Sequence, residues 1–109
     1  MDNEEAVIRN GILATMTNIL KSRSLDTPMN LSLVSDYGRL YDIKQDLIRD
    51  INTRGVSVPY RETENGEILK KKNDCIPELN KVIGQMSKIT YDLGIRACDM
   101  DIKDAPIDL

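Results

Sequence analysis

The chain contains no histidine, tryptophan or phenylalanine, and its only aromatic side chains are Tyr37, Tyr41, Tyr60 and Tyr91. Without histidine, the commonest general base and metal ligand is missing. Without Phe and Trp, a core has to be built from Leu, Ile, Val and Met, a palette that suits helix packed on helix. The two cysteines, Cys75 and Cys98, are too few for a disulfide framework and have no zinc-ligand spacing, so both are expected as reduced thiols. No apolar run approaches the roughly 20 residues that cross a bilayer, and the opening MDNEEAVIRN is acidic where a secretory signal would be basic. These absences lead to the expectation of a soluble, cytoplasmic, non-enzymatic protein with no metal, cofactor or small-molecule substrate and no membrane contact.

What is present is aliphatic and charged. The 109 residues make one domain, and a chain of this size buries proportionately little of its surface, so self-association is a natural supplement. The net charge of -3 is unevenly placed: Asp99, Asp101, Asp104 and Asp108 against Lys103 leave the rest of the chain neutral. An acidic end of this kind, interrupted by Pro106, reads as a flexible tail over residues 98–109 that can order on a partner through Ile102, Ile107 and Leu109.

Three stretches carry helical periodicity. In residues 4–22, Val7, Ile8, Ile12, Leu13, Met16, Ile19 and Leu20 form one stripe, with Glu4 and Glu5 at the positive end of the helix dipole. In residues 31–54 the stripe is Leu33, Val34, Tyr37, Leu40, Tyr41, Leu47, Ile48 and Ile51, capped by Asn30 or Ser32 and stopped by Gly55. In residues 74–93 it is Ile76, Leu79, Val82, Ile83, Met86, Ile89 and Leu93, capped by Asn73 or Asp74 and ended by Gly94. Between the second and third helices, Val56, Val58 and Tyr60 alternate with polar residues, and Asn65-Gly66 marks a turn. This predicts a short extended flap or hairpin over residues 56–72, with Pro59 restricting it to an edge. The fold expected is mainly α: two to three long amphipathic helices in a helical hairpin or bundle, forming one domain over residues 1–97. The first connection, about eight residues with Pro28, is too long for a helix-turn-helix.

The order of these pieces resembles a known family. Tyr37, Leu40, Tyr41 and Leu47 on a helix are followed by Arg54-Gly55-Val56, a polar flap around Gly66, Lys72-Asn73, and an amphipathic helix closing on Leu93-Gly94-Ile95. The arrangement, over about two thirds of the chain, resembles the short small subunits of tailed-phage and prophage terminases. Members usually carry Asn-Pro where this chain has Asn73-Asp74, with Pro77 three residues later, and end on a basic segment where this chain is acidic. The resemblance implies a viral DNA-packaging factor in the host bacterial cytoplasm that recognises double-stranded DNA, assembles into a ring, and recruits or regulates the large ATPase and nuclease subunit.

DNA contact calls for Lys or Arg placed to meet phosphates, and the candidates are Lys70, Lys71 and Lys72, then Lys21 and Arg23. Binding of this type is weak and falls with salt. Candidates for partner binding are Asp99, Asp101, Ile102, Asp104, Ile107 and Leu109. An alternative reading is a helical adaptor or antitoxin-like regulator whose acidic tail wraps a basic partner. A third, an enzyme using Asp42, Asp46 and Asp50, needs further ligands from another helix.

Overall fold

In the computed structural model, which describes residues 3–100, helix α1 (Asn3–Ser22) leads into α2 (Pro28–Arg54), then strands β1 (Ser57–Glu62) and β2 (Ile68–Lys72), α3 (Cys75–Leu93) and a short α4 (Ala97–Met100). The mainly helical class agrees with the sequence, and the two strands pair antiparallel as the hairpin that Asn65-Gly66 predicts. Among the described residues four helices are formed where two to three were expected.

One boundary holds and one moves, each for a local reason. α1 ends at Ser22, as expected, and is closed by Ser24 in a left-handed conformation, with the Leu25 N–H reaching back to the Leu20 carbonyl at 2.8 Å and the Ser24 N–H to the Lys21 carbonyl at 3.1 Å. This six-to-one closure is usually made by glycine, so no glycine announced it. α2 starts at Pro28, not at residue 31: Thr27 Oγ1 accepts the Asn30 N–H, and Pro28, whose missing N–H costs nothing in a first turn, takes the first helical position. Asn30, expected as a cap, donates through its side chain to the Leu25 carbonyl at 2.8 Å. The connection is residues 23–27, shorter than the eight residues foreseen.

The helices run up, down and up. Arg9 meets Asp42 at 2.8 Å and Arg49 meets Glu5 at 3.0 Å, which makes α1 antiparallel to α2. α3 returns along α2, with Tyr41 against Val82 and Met86. The main core gathers Met16, Leu20, Val34, Leu93 and Ile95 where α1, α2 and the end of α3 meet; a second, smaller cluster is Tyr41, Val82 and Met86. With α2 as the long central element, the molecule measures 65 × 30 × 21 Å. A 27-residue helix alone spans about 40 Å, and the hairpin extends beyond its end.

The expected tail is shortened from its front. Residues 97–100 form α4 against α1, the Asp99 carboxylate accepts the Arg96 N–H at 2.8 Å and pairs with Arg23 at 3.3 Å, and Met100 packs on the main core. The side chain three residues on reaching back to an N-terminal amide is a capping device that composition alone hides. Asp101, Ile102, Asp104, Ile107 and Leu109 lie outside the described residues.

Candidate nucleic-acid interface

The hairpin carries the lysines. In its register Ser57 faces Lys72, Val58 faces Lys71 and Pro59 faces Lys70, with a bulge at Tyr60 before Arg61 faces Leu69. Side chains alternate along a strand, so Val58, Leu69 and Lys71 share one side, and Lys70, Lys72, Ser57 and Pro59 the other. Val58 is buried and Leu69 half-buried, which identifies the first side as the one turned toward the helices. Lys70 and Lys72 therefore stand on the outer side, exposed, and among the described residues neither has an acidic partner. Lys71 is held by Asp74 at 3.2 Å. Glu62, Glu64 and Glu67 sit around the far turn, so the hairpin is basic at its root and acidic at its tip.

The root is fixed by Asn73, a polar side chain with no exposed surface. Its amide donates to the Gly55 carbonyl at 2.9 Å and to Asp50 at 3.1 Å. Its Oδ1 accepts the Cys75 N–H at 2.9 Å and Arg54 Nη2 at 3.2 Å. Its own backbone N–H donates to Val56 at 2.8 Å. Each polar group of the side chain is thus used, which is what permits its complete burial. Asn73 was expected to cap α3; it does accept the first helical amide, and it also ties that helix to the end of α2 and the start of β1. Gly55 enters β1 with φ 89° and ψ 178°, a backbone conformation essentially reserved for glycine.

Arg54 and Asp50 complete the hub. Arg54 grips both oxygens of Asp50, at 2.8 and 3.0 Å from Nε, and its Nη2 lies 3.8 Å from the Cys75 sulfur. Hydrogen bonding by Arg54, then by the Cys75 thiol, then by Asn73 lowers the Asp50 pKa from 3.8 to about 2. The Cys75 thiol is pushed up, chiefly by its hydrogen bond to Asp50 and then by desolvation. It is a poor nucleophile for that reason.

The other sequence candidates fall elsewhere. Lys21 and Arg23 lie at the opposite end of the α1–α2 pair, on the order of 40 Å from the hairpin root by helix length. Arg23 is engaged, with Asp99 at 3.3 Å and the Gly94 carbonyl at 2.8 Å, and locks α4 onto the end of α1. The five candidate cations thus divide into a hairpin group and a distant pair. Asp42 and Asp50 are bound to Arg9 and Arg54, and Asp46 to Arg49. No group of three His, Cys, Asp or Glu side chains among the described residues is placed to hold a metal, and no helix of these residues is long and apolar enough to cross a membrane.

Comparison of the chain with family models, with curated proteins and with solved structures finds no match.

Proposed function

We propose that this chain is the small subunit of a phage terminase, a non-catalytic factor that meets duplex DNA through its hairpin root, associates with itself, and recruits or regulates the large ATPase and nuclease subunit. One observation carries the reading. Of the residues that carry the resemblance, the consecutive Arg54, Gly55 and Val56 meet Asn73, 17 residues further on, within hydrogen-bond reach at one hub. Their joint task is to hold a lysine-bearing hairpin at a fixed angle to a helical body.

In this mechanism Lys70 and Lys72 contact backbone phosphates, and the hub supplies rigidity, so that DNA binding does not first have to order the hairpin. The acidic tip repels the duplex and confines contact to the root. Ring assembly and contact with the large subunit are what the resemblance implies beyond this. The adaptor reading loses ground because Asp99, one of its acidic contacts, is engaged by Arg23.

The test is fluorescence anisotropy on a labelled duplex across a salt series. Weak, sequence-independent binding is expected, and the combined Lys70→Ala and Lys72→Ala variant should flatten the slope of log K against log salt by about two, near one per lost phosphate contact. Lys21→Ala should leave the slope unchanged. A hairpin variant with the wild-type slope would remove these residues from the interface.

A further inference from the structure

α1 and α3 both lie on α2, and a cleft opens between them at the end that α4 closes. Its first hollow, about 390 Å³, is walled by Ile12, Tyr37, Thr90 and Ile95, with the exposed Arg96 and the half-buried Met100 completing it. A second hollow shares Tyr37 and Thr90 and continues along α2 and α3 to Lys44, Ile83 and Met86. Ile83 is exposed there, on the same run as the buried Met86.

Three polar groups of this cleft stand unanswered. Lys44 is half-buried yet forms no ion pair among the described residues. Arg96 forms none either, because the carboxylate of the nearby Asp99 is taken by Arg23 and by the Arg96 backbone N–H. The hydroxyl of Tyr37, which lines both hollows and is half-buried, makes no hydrogen bond among the described residues, although a tyrosine hydroxyl usually finds a partner as it leaves solvent. An occupant that suits the cleft is apolar where it meets Ile12 and Ile83 and acidic where it meets Arg96 and Lys44.

The sequence that leaves Met100, DIKDAPIDL, has that character: Asp101, Asp104 and Asp108 against the single Lys103, interleaved with Ile102, Ile107 and Leu109. Met100 itself stands in the wall of the first hollow, so the segment starts at the cleft. Lys44 lies seven residues along α2 from Tyr37, about 10 Å by helix rise, and four extended residues from Met100 to Asp104 span about 13 Å. We propose that residues 101–109 occupy the cleft of their own chain, with Ile102 in the first hollow against Ile12 and Tyr37, Asp101 facing Arg96 and Asp104 facing Lys44. Attachment at Met100 favours the chain's own cleft over that of another copy. A tethered segment meets its site at an effective concentration in the millimolar range, so a contact too weak to hold a separate peptide suffices. The consequence is competition: a partner that takes Ile102 and Asp104 has to displace them from the cleft first. The inference is independent of DNA binding at the hairpin.

The test is NMR on the full chain with isotope-labelled isoleucine methyls, the Ile102 signal being assigned from an Ile102→Val variant. A nuclear Overhauser effect from the Ile102 methyl to the Tyr37 ring is expected in the wild type. It should be lost in Lys44→Glu and return in Lys44→Glu with Asp104→Lys, while the signals of the main core stay in place. In a mixture of methyl-labelled and ring-labelled copies no such effect is expected between copies. A wild type without the contact would overturn the proposal. So would a contact indifferent to Lys44→Glu, one that the double variant fails to restore, or one that appears between separately labelled copies and so belongs to a neighbour.

Discussion

At the scale of single residues, the molecule turns on Asn73. A buried amide with four side-chain hydrogen bonds contributes through what its loss would expose: Asn73→Ala leaves the Gly55 carbonyl and the Cys75 N–H without partners. We expect a loss of about 2–4 kcal/mol in urea unfolding, with hydrogen exchange quickening first in the hairpin. Asp50 makes the same hub sensitive to acid. Its folded pKa, about 2, lies below its ordinary 3.8, so the stability it adds is fully present above about pH 4 and is lost as pH falls through that interval. An acid titration should show unfolding steepen below pH 4, and Asp50→Asn should remove that part of the pH dependence; an identical acid profile in the variant would exclude Asp50 as its source. The sequence marked Asn73 as a cap because capping is local. Its burial was not legible there, since Gly55, Arg54 and Asp50 lie 18 to 23 residues back and meet it only when the hairpin closes.

At the scale of elements, hydrophobic period and turn chemistry located the three long helices and the hairpin, because each signal is local and repeated. The misses were the start of α2 and the short α4. Thr27 with Pro28 set a start expected from Asn30 or Ser32, and α4 follows from an Asp99 contact with Arg23, just past α1, that no period reports. The α1–α2 contact also held a detail invisible in one dimension. Gly38 is buried in the middle of α2, and a Cβ there would stand 2.8 Å from both the Arg9 guanidinium and a Leu13 methyl. Those are the tips of movable side chains, and alanine is the better helix former by about 1 kcal/mol, so Gly38→Ala should change stability by less than about 1 kcal/mol. Gly38→Leu has no such room, should displace Arg9 from Asp42, and should lose about 1–3 kcal/mol. Equal unfolding midpoints for glycine and leucine at this position would show that α1 does not approach α2 so closely.

At the scale of the whole molecule, the long axis separates two ends that the sequence could not separate. Lys21 and Arg23 belong to the end where α1 closes on α3 and α4, and Arg23 is engaged in that closure. Lys70 and Lys72 belong to the other end, on a hairpin whose outer side is open. A charge list ranks five cations together; only the antiparallel path of the chain sorts them. The central claim is that duplex DNA meets the hairpin root, and it is most directly tested by proximity. Ser57 lies across from Lys72 on the same outer side, and Asn18 is exposed on α1 toward the far end. With a photo-crosslinking amino acid replacing Ser57 in one protein and Asn18 in another, irradiation with a labelled duplex at low salt should give a protein–DNA adduct from position 57 that fades as salt is raised, and none from position 18. Adducts from position 18 with none from position 57 would contradict the account.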